Sequence, residues 1–180
     1  MLKWNKKFKY PETVREMIDG ARHYSIDNRK LPSVTTILQS TQSDEKKAVL
    51  ENWQKKVGYD NAEQIKNTAA NRGSIMHHII ESYLLDERHA DLSEIGQQAG
   101  KMAQIIIDQG LKGSMDEIWG TEVTLYYPDL YAGASDLAGI YEGRESIMDF
   151  KQSNKPKRKE WISDYFLQLA AYATAHNQVH

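Results

Sequence analysis

Between Thr121 and Tyr127 the chain alternates, with Val123, Leu125 and Tyr127 interleaved by Glu122, Thr124 and Tyr126. That period of two predicts a strand with one buried face. Tyr131 to Tyr141 and Ser146 to Ser153 read as two further strands. Pro128-Asp129 supplies the first turn and Glu142-Gly143-Arg144 the second, tight one, so the three segments are expected to form an antiparallel meander. From Glu160 to about Asn177 the apolar positions recur at helical spacing. A helix there is expected to bury Ile162, Tyr165, Phe166, Leu169 and Ala173 against the sheet.

The first half of the chain has a different rhythm. Residues 44 to 57 and 61 to 71 read as helices separated at Gly58. A third helix, Ser74 to Leu85, aligns Met76, Ile79, Ile80, Tyr83 and Leu84 on one stripe, and residues 92 to 110 continue in the same style to Gly110. Residues 1 to 31 are polar with scattered aromatics, and turn signals at Asp19-Gly20 and Asp27-Asn28 predict a hairpin arm. The expectation is an α+β chain: an arm over residues 1–31, then one domain over residues 32–180 with a helical N-terminal half, a three-stranded meander and a flanking helix.

Composition narrows what such a fold does. A length of 180 residues suits one domain, or one with a small appendage. The formal net charge of −2 gives no overall field to attract a polyanion, so nucleic-acid binding would rely on local basic patches. Two stand out: Lys3, Lys6, Lys7 and Lys9 interleaved with Trp4, Phe8 and Tyr10, and the run of Lys155, Lys157, Arg158 and Lys159. Taken alone, each reads more simply as a solvated tail or loop, and the second also resembles a short nuclear import signal. The absence of cysteine excludes disulfides, thiolate zinc sites, iron–sulphur clusters and cysteine nucleophiles. Any metal must therefore use oxygen or imidazole ligands. No apolar run has the length of a membrane span and the first residues lack the apolar core of a signal peptide, so a soluble, cytoplasmic protein is expected.

The chemistry lies inside the short strands. Aspartate is disfavoured in a strand interior, yet Asp136 and Asp149 fall within two adjacent, otherwise apolar ones. Alternation places Asp149 and Lys151 on one face, and the turn at residues 142–144 brings Asp136 opposite Asp149. Neighbouring carboxylates repel, so one is protonated, or a basic side chain pairs with them, or a hard divalent cation lies between them. A half-buried salt bridge to Lys151 and a metal site are equally compatible with spacing alone. Glu122, on the polar face of the first strand, adds a third carboxylate and favours the cation over its reading as an ordinary exposed residue.

Five segments together carry a resemblance. Gly133-Ala134-Ser135-Asp136-Leu137, followed at the proper interval by Asp149-Phe150-Lys151-Gln152-Ser153, resembles the core of the PD-(D/E)XK nuclease superfamily in its RecB-like branch. Gln168-Leu169-Ala170-Ala171-Tyr172 resembles the Gln-x-x-x-Tyr element of the helix that follows. Arg72-Gly73-Ser74-Ile75-Met76-His77, with Glu81 one turn later, is similar to that branch's upstream helix. Pro32-Ser33-Val34-Thr35 is similar to a motif of the phage and mitochondrial-genome-maintenance exonuclease subgroup. Singly, His77 with Glu81 is a helix-surface pair and Gln168 with Tyr172 is packing. Their common order carries the resemblance.

The resemblance implies a Mg²⁺- or Mn²⁺-dependent deoxyribonuclease with a restriction-endonuclease-like core, acting as an exonuclease on DNA ends and preferring single strands. It implies that Asp136, Asp149, the Phe150 carbonyl and His77 bind the ion. Glu122 is then expected to bind a second ion or orient water, and Lys151 to activate the attacking water. Gln168 and Tyr172 would hold the lysine or the DNA backbone, while Ser33, Thr35, Arg72, Lys155 and Lys157 would contact phosphates. The alternative is a catalytically inactive nucleic-acid-binding module of the same fold. Relatives in this branch continue into a further strand. The expectation is that the sheet ends early, that the N-terminal arm fills its edge, or that a second chain supplies the strand by self-association.

Overall fold

Three two-residue loops set the strand geometry. Asp19-Gly20, Asp27-Asn28 and Glu142-Gly143 all have positive φ at both positions, the conformation that matches the right-handed twist of flanking strands. In the computed structural model, which describes residues 2–180, the first two loops join β1 (Val14–Ile18), β2 (Ala21–Ile26) and β3 (Arg29–Pro32). These form an antiparallel sheet in the order β1-β2-β3. The hairpin expected of the first 31 residues is thus a three-stranded meander.

A second antiparallel sheet has the order β4-β5-β6, comprising β4 (Met115–Tyr127), β5 (Tyr131–Tyr141) and β6 (Arg144–Met148). The expected meander is present, with two corrections at its ends. β4 starts earlier, because register shifts between Met115 and Glu117 and between Ile118 and Gly120 interrupt strict alternation there. Glu117, Ile118 and Trp119 are consequently all buried, and no period of two is legible in them. β6 stops at Met148 rather than Ser153, for a reason that lies in the site described below.

The chain groups into two compact units. One combines the residues up to Ser40 with Leu111–His180, and the other is Thr41–Gly110. In the first unit α1 (Val34–Ser40) and α5 (Ser163–Val179) accompany both sheets. Its core joins Val34, Trp119, Val123, Leu125, Ala138, Tyr172 and Ala175, with Phe8 and Tyr10 packed against them. Residues 3–5 are not a free arm: Ile118 N–H donates to the Lys3 carbonyl and Asn5 N–H to the Ile118 carbonyl, both at 2.8 Å. This segment runs beside β4 through an isolated parallel Trp4–Ile118 bridge.

Beneath that bridge the Glu117 carboxylate receives Lys3 Nζ at 2.8 Å, Asn5 Nδ2 at 2.9 Å and Trp119 Nε1 at 2.9 Å. The Lys3 ammonium, then the indole and amide N–H groups, hold this carboxyl down at about 2.

The buried face of α5 also differs from expectation. Gln168, Tyr172, Ala175 and His176 are buried, whereas Phe166 is 50% exposed and Ile162, Tyr165, Leu169 and Ala173 are only partly covered. Apolar residues surround this helix, so periodicity did not choose its inner face. The polar face was chosen because Gln168 and Tyr172 find partners inside.

The second unit contains α2 (Asp44–Val57), α3 (Tyr59–Leu84) and α4 (Glu94–Ile106), the last running into a π-helical turn at Ile107–Leu111. Ser43 and Ser93 cap α2 and α4 by accepting Lys46 N–H and Gly96 N–H. The two helices expected over residues 61–71 and 74–85 are one, since Gly73 lowers helix propensity by only about 1 kcal/mol, too little to stop a long helix. Met76, Ile80 and Leu84 are buried as the stripe predicted.

Candidate active site

Asp136 sits in the middle of β5, where the Thr121–Leu137 and Val123–Ser135 pairs of the β4–β5 ladder place Glu122 across from it. Carboxylate oxygens of the two lie within 4.8 Å of each other. On its other side the β5–β6 ladder ends at the Leu137–Met148 pair, and Asp149 is the next residue along. The two aspartates expected to meet therefore occupy adjacent positions across a hairpin.

The strand stops at Met148 because side chains of β5 replace its backbone as hydrogen-bond partner. Ser135 Oγ donates to the Met148 carbonyl at 2.8 Å, and the Asp136 carboxylate accepts the Phe150 N–H. Each bond substitutes for a ladder bond, so the Asp149-Phe150-Lys151 segment leaves the sheet while remaining tied to it. Ser135 was not singled out in the sequence, although it belongs to the segment that carries Asp136.

Asp149 is almost enclosed, with its side chain 7% exposed, and it pairs with Lys151, whose side chain is 35% exposed. Its other oxygen accepts Gln168 Nε2 at 3.1 Å, and the same nitrogen donates to the Tyr172 hydroxyl at 3.0 Å. Burial pushes the Tyr172 hydroxyl up from its ordinary range, so it stays protonated across physiological pH. Gln168 and Tyr172, four residues apart on one helix face, thus anchor the acidic residue next to the lysine. Tyr172 comes this close because residue 133 has no side chain: a Cβ there would lie 2.4 Å from the tyrosine ring.

Glu122 has a φ of 48°, a left-handed conformation that is costly for a side-chain-bearing residue. It is held there in an ion pair with Arg15 Nη2 at 3.1 Å. Arg15 lies in β1, distant in sequence, and no local pattern could have revealed it. Non-glycine residues in this conformation concentrate at functional sites.

Three carboxylates, Asp136, Asp149 and Glu122, face two cationic side chains, Lys151 and Arg15, in this region. Hard divalent ions take carboxylate oxygens at about 2.0–2.6 Å, which brings two ligand atoms to within roughly 4–5 Å of each other. The Glu122–Asp136 separation fits that requirement. Asp149 is different, since Lys151 and Gln168 already engage both of its oxygens. Of the two alternatives left by spacing, the salt bridge to Lys151 is present, and the Glu122–Asp136 carboxylate pair lies beside it.

The remaining expected residues are distributed as follows. Ser33 is buried, 1% exposed, and its hydroxyl accepts Thr36 N–H at the start of α1, while Thr35 is exposed beside it at 3.0 Å. Lys155 and Lys157 lie in the exposed loop after Lys151. Arg72, His77 and Glu81 are on α3 of the second unit. Phe8 and Tyr10, interleaved with the first group of lysines, pack against the core. No helix among the described residues is long and apolar enough to cross a membrane.

Comparison with known proteins adds an independent line. No family model matches the chain. It is 31% identical over 158 residues to mitochondrial genome maintenance exonuclease 1 of Xenopus tropicalis, across 83% of this chain and 44% of that protein. The corresponding proteins of Mus musculus and Homo sapiens are each 28% identical over 160 and 155 residues. Those alignments take in 84% and 82% of this chain, and 46% and 44% of the relatives. The chain spans less than half the length of these relatives. Most of it is therefore similar to one stretch of proteins named as exonucleases.

Proposed function

We propose that this chain carries the catalytic core of a metal-dependent DNA exonuclease of PD-(D/E)XK type, in the RecB-like branch, hydrolysing phosphodiester bonds at DNA ends with a preference for single strands. One observation carries the reading: Asp136 ties down the Phe150 amide next to the enclosed Asp149 carboxylate and its partner Lys151, with Glu122 directly across the sheet. The substrate is proposed as DNA because the similar proteins are named for genome maintenance.

Asp136, Asp149 and the Phe150 carbonyl would hold Mg²⁺ or Mn²⁺, with Glu122 beside them and His77 assigned to the same set by the resemblance. The ion would supply charge neutralisation and a lowered water pKa. Lys151 carries the next requirement. Its ammonium, held beside Asp149, would orient the attacking water and offset the negative charge that builds on the phosphoryl oxygens. Gln168 holds the other Asp149 oxygen, and Tyr172 fixes Gln168. Thr35, Arg72, Lys155 and Lys157 are assigned to phosphates, with Ser33 shaping the turn that presents Thr35.

The second reading is a nucleic-acid-binding module without catalysis, and it draws on the full occupation of Asp149 by protein partners. End-labelled linear and closed circular single-stranded DNA, incubated with Mg²⁺, Mn²⁺ or EDTA, separate the two. The proposal expects metal-dependent loss of label from linear DNA with circles intact. Binding without cleavage in any metal would select the module.

A further inference from the structure

Beyond Lys151 the chain forms a loop that folds back towards the start of α5 and borders an open cavity of about 520 Å³. That size falls within the roughly 300–1,000 Å³ typical of small-ligand sites. Its walls include Lys151, Lys155 and Lys157, with Ile162 and Tyr165 as the apolar side, and no carboxylate lines it. In a chain of net negative charge, three ammonium groups around an apolar floor are a local inversion. The Tyr165 ring is the centre of this arrangement. Lys157 Nζ lies 4.9 Å from its centroid and donates to its hydroxyl at 2.5 Å, while Lys151 Nζ lies 5.7 Å from the same centroid.

Sequence periodicity assigned Tyr165 to the core, but it is only half-buried at the mouth of this cavity. Lys157 rests on this ring at an exposed site, whereas Lys151 is also paired with Asp149, and a phosphate oxygen is a much stronger partner for an ammonium than a ring face. Phosphates arriving at the loop would draw Lys157 off the ring and bare that face, with Lys151 held beside it by Asp149. An exposed tyrosine face flanked by phosphate-bound lysines is the arrangement on which an unpaired base stacks.

We infer that the cavity between the Lys151–Lys157 loop and Tyr165 is a nucleotide subsite. Tyr165 and Ile162 receive one unpaired base next to the scissile bond, and Lys155 and Lys157 take the adjoining phosphate. This rests on the nuclease reading, because Lys151 is what connects the cavity to the reacting phosphate. It supplies a physical basis for single-strand preference: a base held in a duplex cannot turn into the cavity.

The test measures binding, so that it does not depend on turnover. Fluorescence anisotropy in EDTA compares the full chain and Tyr165→Leu for labelled single-stranded oligonucleotides in which one terminal or near-terminal nucleotide at a time is replaced by an abasic unit. The wild type is expected to lose about tenfold in affinity at one position and little elsewhere, the size of a single base–aromatic stack. Tyr165→Leu should bind intact DNA as weakly as the wild type binds that abasic strand, and show no further loss with it. Tyr165→Phe should retain the penalty. An abasic scan that is flat for the wild type, or a penalty unchanged in Tyr165→Leu, overturns the subsite. A flat scan with competition by an acidic peptide would make the cavity a general anion surface. The wild-type scan decides alone if the leucine variant does not fold. Failure of cleavage with an intact abasic penalty would instead refute the nuclease reading and leave the subsite standing.

Discussion

Replacing Gly133 by alanine tests the packing that supports the site. The new methyl would stand 2.4 Å from Tyr172 Cε1, 2.7 Å from its hydroxyl oxygen and 2.8 Å from Cζ. Carbon atoms prefer about 3.5–4.0 Å, so the ring must retreat by roughly 1 Å. It has little room to do so, being 3% exposed and packed among Val34, Trp119, Val123, Leu125, Ala138 and Ala175. Overpacking of this kind costs about 1–3 kcal/mol. Displacing the hydroxyl from Gln168 adds about 1 kcal/mol. Alanine recovers about 0.4–1 kcal/mol by restricting the unfolded chain, because Gly133 is not in the left-handed region and its backbone accepts a side chain. The net expectation is a loss of about 2 kcal/mol in urea unfolding, or a melting point lower by roughly 4–8 °C. Tyr172→Leu in the same chain removes the colliding ring. The double variant should therefore be more stable than the sum of the single effects by about 1 kcal/mol or more. Turnover should fall with Gly133→Ala because Gln168 no longer holds Asp149 in place. A Gly133→Ala protein within about 0.5 kcal/mol of wild type, or strictly additive effects, would refute this account.

Three further outcomes are expected. Lys151→Ala should lower kcat by roughly 10²–10³-fold while the Kd for DNA, measured in EDTA, changes far less, because in the proposed reaction the ammonium would act on charge that develops in the transition state. Glu122→Gly should be more stable than Glu122→Ala by about 1 kcal/mol in chemical denaturation, since both lose the carboxylate and only glycine adopts a φ of 48° without strain; equal stabilities would contradict the strain. Glu117 carries a pH signature: its carboxyl is held at about 2 against an ordinary 4.5, so between those values the unfolded state binds more protons. The melting-point advantage of wild type over Glu117→Gln should thus be full above pH 5 and close as pH falls towards 2, whereas a gap independent of pH would exclude the Lys3–Glu117 pair as its source.

What could be read from the sequence was whatever depends on near neighbours along the chain. Asp19-Gly20, Asp27-Asn28 and Glu142-Gly143 announce their loops because few residues accept positive φ. The hairpin about residues 142–143 then makes the approach of Asp136 and Asp149 a matter of counting. Illegible were features decided by distant partners. The bulges in β4 hide a strand beginning at Met115, and Glu117 is tolerated inside only because Lys3, Asn5 and Trp119 converge on it. The face of α5 was misread because apolar residues surround the helix, and a glutamine–tyrosine pair settles which side turns inward. Within the site, the sequence pointed to the acids and the lysine, but it did not show that Asp149 is occupied by Lys151 and Gln168 or that Glu122 is paired with Arg15.

The central claim, that Asp136, Asp149 and Glu122 together form a seat for a divalent cation, is tested most directly by titrating the chain with Mn²⁺ and following free Mn²⁺ by electron paramagnetic resonance. The account predicts saturable binding to wild type that weakens roughly tenfold or more in Asp136→Asn and in Asp149→Asn, with circular dichroism showing both variants folded. Equal Mn²⁺ affinity in wild type and both variants would contradict it.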